Sequence, residues 1–333
     1  MSAKMLAGAA AGFVMTAALG ICPASAQMKI DMVAFGGASN LPIWVAMDKG
    51  LFAKEGLELT LDRTQGSKAL YENMMAGKYQ VGSAAIDNTV AYVEGQGDVK
   101  IDNFDMVAFL GVHGGLNTAV ARPEIKSYAD VKGKAVAVDA ANSGYALVLY
   151  RILDQNGLKM HRDYQIVAVG GSGERMVAMK ENKAVIALLS SPTDLEARAL
   201  GYTFLGDAAA SLGAYQGSAY VVRRAWAKDH EKELIALIRG IVNAHDYIFT
   251  NKAGAIEVMQ KRVKGLEKTE AEALYTNMTE GRGGLNRKAE INVEGVKTVL
   301  SLRSEYGEPK MTLSDPYKYI DTSYYEKATK GMK

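Results

Sequence analysis

The sequence predicts an α/β protein of two lobes, each a mainly parallel sheet flanked by helices, with a cleft between them. Three observations carry that expectation. Short apolar strands alternate with amphipathic helices from Lys29 to Leu200. The strands end repeatedly in Gly, Ser, Asn or Asp, where open α/β sheets hold small molecules. The 333 residues include only six prolines and no low-complexity tract, so two lobes would be joined by crossing strands rather than a flexible tether.

The chain opens with a leader. Met1 to Lys4 carries one positive charge, Met5 to Ile21 is almost wholly apolar or small, and Ala24-Ser25-Ala26 supplies a small-x-small cleavage signal before Gln27. Residues 1–26 are therefore expected to be a cleaved signal peptide, placing the mature protein in the periplasm. Gly8, Gly12 and Gly20 interrupt the run and no basic stop-transfer flank follows, which disfavours a membrane anchor. Cys22 follows Ile21, not the small residue that lipidation needs, and it is the sole cysteine. The mature chain then has no thiol chemistry or disulfide. With 39 basic and 37 acidic residues, and Lys4 leaving with the leader, nothing calls for nucleic acid or a charged membrane surface.

The elements follow in order. Lys29–Phe35 reads as a strand broken by Gly36-Gly37, and Leu41–Lys49 as a helix ended by Gly50. Strand Leu57–Leu61, a turn through Thr64-Gln65-Gly66-Ser67 and helix Lys68–Met75 repeat the cadence, followed by strand Gln80–Ala84 and an Asp87-led helix to Glu94. The long strand Met106–Val112 and the extended Thr118–Ala121 mark the first crossing. A second series comprises strand Lys134–Val138 with helix Ser143–Gln155, strand Gln165–Val169 with helix Gly173–Lys180, and strand Ala184–Leu189 with helix Thr193–Leu200. Ser218–Val222 is the return crossing. Helices at Glu231–Phe249, Ala253–Val263, Thr269–Thr279 and Val293–Glu305 are then expected to pack on the first lobe. The lobes so defined are 27–113 with 218–333, and 114–217. Tyr317, Tyr319, Tyr324 and Tyr325 read as a docking surface for a last helix.

Leu41-Pro42 through Val45-Ala46, Lys49-Gly50-Leu51-Phe52, Glu55-Gly56-Leu57, Met75-Ala76-Gly77, Tyr128 through Lys134, Asn156-Gly157-Leu158 and Tyr319 through Tyr325 form an ordered set across nearly the whole chain. In that order they resemble the periplasmic binding proteins of the nitrate, sulfonate, taurine and thiamine-precursor type of ABC importer. The resemblance implies a type II periplasmic-binding-protein fold that closes over a solute and delivers it to a permease in the inner membrane. The chain departs from the family at Gln80 and at Asn182-Lys183-Ala184-Val185, where an Asp is frequent.

A receptor cleft needs backbone N–H groups, short polar side chains and an aromatic cover. Ser39, Asn40 and Leu41 open the first helix, and Ser143, Gly144 and Tyr145 open its counterpart in the second lobe, where N–H groups can hold an anion. Ser39 and Ser143 read equally as ordinary N-caps. Gly170 to Arg175 lacks the third glycine of a dinucleotide fingerprint and the Lys-Ser/Thr of a P-loop. Gly171 and Ser172 remain candidates for contact, with Arg175 as an anion partner although exposure is the default for an arginine. Gln65, Ser83, His113, Thr193 and Asp194 complete the candidate set; His113 serves equally as a hinge residue, and Asp194 as a helix-start charge.

The expected function is the substrate-binding component of an ABC importer, a monomer that captures a small organic anion of the sulfonate or carboxylate type. No cofactor is expected, and the four histidines show no ligand-pair spacing for a metal. An enzyme on the same fold, desulfinase-like or of the vitamin-precursor type, is the alternative. Thiol chemistry is closed to it, and no Gly-x-Ser-x-Gly elbow is present, so no catalytic residue is assigned. A soluble sensor receptor is the third reading. Intact mass measurement of protein recovered from the periplasm is expected to give a chain starting at or near Gln27 without cysteine; a retained Met1 or a lipidated Cys22 would overturn the leader assignment.

Overall fold

The computed structural model describes Met1 and residues 28–332, so the rest of the expected leader, Cys22 included, lies outside the described residues. Ten strands follow in chain order: β1 (Met28–Phe35), β2 (Leu57–Thr64), β3 (Val81–Ala85), β4 (Met106–His113), β5 (Thr118–Ala121), β6 (Ala135–Val138), β7 (Gln165–Ala168), β8 (Ile186–Leu189), β9 (Thr203–Asp207) and β10 (Ser218–Arg223). They form two five-stranded sheets, β2-β1-β3-β10-β4 and β7-β6-β8-β5-β9. The pairings β1 with β2 and β3, and β6 with β7 and β8, are parallel. β10 and β5 pair antiparallel with both neighbours, so each sheet has one reversed strand.

Those reversed strands are the ones entered from the other sheet. β5 follows β4 after four residues and β10 follows β9 across 208–217. A chain arriving from the partner sheet meets its new sheet from the opposite end, so direct entry reverses it. The mainly parallel expectation therefore holds for strand direction, whereas the pairings are mixed.

β9 was not expected from sequence. Its residues Thr203–Asp207 lie on the sheet edge with none fully buried, and Phe204 is 43% exposed, so the apolar alternation that reveals a half-buried strand is missing. Arg224–Asp229, a short helix after β10, was missed as well. The strongly periodic segments behave as read. In Glu231–Thr250, Leu234, Leu237, Ile238, Ile241, Ala244 and Ile248 turn to the core at three- and four-residue spacing, each large side chain worth about 1.5–3 kcal/mol of burial. Tyr319 is buried and its hydroxyl donates to Glu94, and Tyr325 donates to the Lys288 carbonyl beside the final helix, Ser323–Thr329. Tyr317 is exposed and takes no part in that docking.

One C-terminal helix departs from its expected place. Val293–Tyr306 packs on Ile86–Val93 of the first sheet unit and on Gly144–Gln155 of the second. The Tyr306 hydroxyl donates to Asp154 at 2.9 Å, and Arg151 pairs with Glu305. At the centre Arg303 is completely buried. Its Nε donates to Asp87 Oδ1 at 2.9 Å, Nη2 pairs with Asp87 Oδ2, Nη1 reaches Gln96 Oε1 at 3.2 Å, and Nη2 also donates to the Asn142 carbonyl at 2.7 Å. One guanidinium thus holds a residue of each unit. Pattern reasoning sees only that this helix is amphipathic, not that its apolar stripe spans two bodies.

Removing one partner of such a pair strands the other charge in a dry site. Arg303→Leu is expected to lower unfolding free energy by roughly 3–5 kcal/mol, and Asp87→Asn/Arg303→Leu to recover part of it. Chemical denaturation of the three proteins checks this; a loss within ~0.5 kcal/mol would show that the buried pair contributes nothing net.

Candidate functional site

The C-terminal ends of β1, β3, β6 and β8 and the two crossings converge on a cavity of about 110 Å³ between the sheet units, room for a small solute rather than one water. From the first unit it is lined by Ser39, Asn40, Ser83, Asn88 and His113; from the second by Asp139, Ser143, Tyr145, Ser172, Arg175 and Ser190. Phe35, Leu116, Leu274 and Met278 supply apolar wall.

The first wall is shaped by the glycine turn after β1. Gly37 has φ 138°, a region that suits only glycine, and a Cβ there would stand 3.1 Å from the Ser191 carbonyl oxygen. The absence of a side chain lets Ala38 N–H donate to that same oxygen at 3.1 Å, a backbone bond between the units. Asn40 precedes helix Leu41–Asp48 but does not cap it; its Nδ2 donates to the Phe35 carbonyl at 2.7 Å. Ser143 makes no side-chain cap either, and Gly144 N–H donates to Asn88 Oδ1 across the units at 3.1 Å. Ser143 thus stands at the N-cap position without capping, and Ser39 lies within the short turn Ala38–Asn40 rather than at a cap position.

The second wall centres on Arg175, which is 7% exposed rather than solvated. Its place in helix Ser172–Lys180 turns it inward beneath Ser172. Nη2 donates to Ser172 Oγ at 3.2 Å, while Nε has no partner among the described residues. Ser172 Oγ also accepts from Ser190 N–H at 3.0 Å and lies 2.9 Å from Ser190 Oγ, fixing the hydroxyls beside the guanidinium. Burial lowers the Arg175 pKa, opposed by the charge of Asp139. The Tyr145 hydroxyl is buried without a hydrogen-bond partner among the described residues, and burial pushes its pKa up to about 12, so it stays protonated.

His113 closes the floor. Its Nδ1 accepts from the backbone N–H groups of Gly115 at 3.0 Å and Leu116 at 3.3 Å. The ring proton must then sit on Nε2, and burial lowers the pKa from 6.5 to about 4. His113 offers a neutral donor, not a charge.

Of the expected residues, Ser39, Asn40, Ser83, His113, Ser143, Tyr145, Gly171, Ser172 and Arg175 line this cavity. Gln65 and Thr193 line a separate adjoining one, shared with Gly171 and Ser172. Leu41 is in the apolar core, and Gly144 packs where a Cβ would meet Asp87 Cβ at 2.6 Å. Asp194 is occupied by Thr118 at 3.2 Å and Ser191 at 2.6 Å. Sequence reading passed over Asp139, Asn117, Ser190, Ser191 and Ser218, all at strand ends or crossings where the same rule applies. Asn277 and its neighbours come from helix Lys268–Glu280, and no local signal points them at the cleft.

The NMT1-like family matches residues 23–263, well over half of the sequence. The chain belongs to the NMT1-like family. Solved structures agree on the fold: the nitrate-binding protein NrtA from Synechocystis PCC 6803 superposes with TM-score 0.76 at 13% identity, covering 92% of this chain and 89% of that one. The alkanesulfonate-binding protein SsuA from Xanthomonas axonopodis pv. citri, bound to MOPS, gives 0.68 at 16% identity over 92% and 99%. A ligand-binding component of an ABC-type import system from Staphylococcus aureus, with zinc bound, gives 0.74 at 13% over 91% and 99%. No curated protein matches the sequence. This NMT1-like chain thus has the periplasmic-binding-protein fold, and among its described residues no helix is long and apolar enough to cross a membrane.

A second buried histidine behaves like the first. His245 Nδ1 lies 2.8 Å from the Asn286 carbonyl, which can only accept, so Nε2 is bare, and burial lowers the pKa to about 4. Both groups have folded pKa values below the unfolded 6.5, so the unfolded chain binds the extra protons and stability falls as pH drops from about 6.5 toward 4. Nuclear magnetic resonance titration should find these two of the four histidines still neutral near pH ~5; two ordinary titrations near 6.5 would refute the assignment.

Proposed function

We propose that this protein is the periplasmic substrate-binding component of an ABC importer, a monomer that captures a small organic anion of the sulfonate or carboxylate type and delivers it to the permease unaltered. The observation that carries the reading is Arg175, a buried cation in the cleft whose Nη2 donates to Ser172 and whose Nε is bare, with no carboxylate paired to it among the described residues. Burying a guanidinium costs several kcal/mol unless an anion meets it. A sulfonate or carboxylate oxygen pair on Arg175, with Ser172 and Ser190 beside it and the Ser143 end of helix Gly144–Gln155 opposite, supplies that partner.

Capture by closure is supported by contacts that run between the units. Ala38 to Ser191, Asn88 to Gly144 and Ser67 to Asp139 all link residues of the first sheet unit to residues of the second. The lobes on this reading are 27–113 with 218–333, and 114–217. They swing about the crossings near 113–118 and 207–218, with the solute buried on closing. A non-catalytic role accords with the cleft's chemistry: its histidine is neutral and tied through Nδ1 to backbone N–H groups, with no hydroxyl hydrogen-bonded to it as a nucleophile among the described residues.

A melting-temperature screen of the mature protein against sulfonates and carboxylates is expected to yield a stabilising ligand that is recovered chemically intact. Arg175→Gln should then weaken that ligand by about 10- to 100-fold, the value of a hydrogen bond to a charged group. Small-angle scattering should show the wild type contracting on saturation. Unchanged affinity in Arg175→Gln, or turnover of the ligand, would sink the reading.

A further inference from the structure

A second donor in the cleft is left unused by an acid group on Arg175. His113 accepts through Nδ1 from the N–H groups of Gly115 and Leu116, which fixes the tautomer and leaves one donor, Nε2–H, that meets no acceptor among the described residues. Its fate differs from that of the other buried histidine. Nε2 of His245 is sealed in packed core, whereas the His113 ring lines the cavity. A buried N–H without a partner is unfavourable, so a solute that supplies an acceptor there gains by it.

The charged groups of the cleft act elsewhere. Arg175 influences Asp139 and Tyr145, but burial is the sole influence on His113. The surroundings of His113 are apolar instead. Leu285 pairs with it in a β-bridge, and Leu285 N–H donates to the Met278 carbonyl at 2.7 Å, which draws the end of helix Lys268–Glu280 to this side of the cleft. Leu116, Leu274 and Met278 line the cavity. A second anionic group placed among them would be desolvated with no cation to meet it, a penalty that one neutral N–H does not offset. A carbonyl or hydroxyl oxygen is far less costly to desolvate, and by accepting from Nε2 it satisfies both groups.

On this geometry, and resting on the reading of the cleft as the solute site, we propose that His113 is a specificity-determining residue: its Nε2–H donates to an uncharged oxygen at the end of the solute away from the acid group. The class that follows is a compact oxo- or hydroxy-acid, carboxylic or sulfonic, in preference to a plain alkyl acid or a diacid. Arg175 then selects for the charge, and His113 for what the rest of the molecule carries.

Matched ligands test this on the mature protein. Calorimetry at neutral pH would compare levulinate with valerate, acetoacetate with butyrate, and isethionate with ethanesulfonate. In at least one series the oxygenated member is expected to bind about five- to tenfold more tightly, the worth of one neutral hydrogen bond, and succinate to bind no better than butyrate. His113→Asn can place its oxygen where Nδ1 accepts but has no atom at the Nε2 position, so it should keep the affinity for the plain acid and lose the preference. His113→Gln, whose amide nitrogen reaches the Nε2 position, should retain part of it. If neither variant folds, the wild-type comparison decides together with the His113 Nε2–H resonance, which should move when the oxygenated member binds and stay when its plain partner does. A preference that persists in His113→Asn, an unmoved resonance, succinate binding more tightly than butyrate, or oxygenated and plain members binding alike while Arg175→Gln weakens both, overturns the role of His113 and leaves the cleft assignment standing. Binding unchanged by Arg175→Gln overturns both, and a wild type that binds no member at millimolar concentration overturns the proposed class.

Discussion

Arg303 has the greatest volume among the fully buried side chains of the described residues. A guanidinium cannot sit in a dry interior without counter-charge and acceptors for its N–H groups, and here Asp87, Gln96 and the Asn142 carbonyl meet that need together. Because the three lie on separate parts of the chain, satisfying one residue fixes their relative positions. Asp87 is followed by Asn88 in the same first helical turn, and Asn142 by Ser143. Both successors line the cleft, so the geometry of each wall is referred to one ion pair behind it.

The helix that carries Arg303 gives this arrangement its other consequence. Val293–Tyr306 lies against a helix of each sheet unit, with Tyr306 and Glu305 holding the second unit at its end. At the glycine turn the units meet through the backbone bond from Ala38 to Ser191. The buried ion pair and its acceptors are therefore gathered at the helix, away from that turn.

Inside the cleft, charge is sparse and hydroxyls are many. His113, a residue type that elsewhere exchanges protons near neutrality, is kept neutral here by burial and by two backbone donors, and burial keeps Tyr145 protonated. Arg175 and Asp139 are the charged groups that line the cavity, with serine and asparagine shaping much of the remainder.

Much of this was legible in the residues. The strand and helix cadence from Met28 to Ala199 follows from apolar periodicity and glycine stops, which act within a few residues and survive any tertiary context. Strand-end reasoning also pointed to Ser39, Ser143 and Ser172, which line the cleft, because the chain direction of a parallel sheet decides where its loops gather. What depended on the tertiary structure was everything carried by distant pairs. Edge strand β9 has no apolar alternation to betray it, the inward turn of Arg175 runs against the arginine default, and the seating of Val293–Tyr306 on both units is decided by Asp87, more than two hundred residues away. Periodicity tells a helix that it has an apolar face; only packing decides what that face meets, and a buried charge decides it most sharply because it tolerates so few partners.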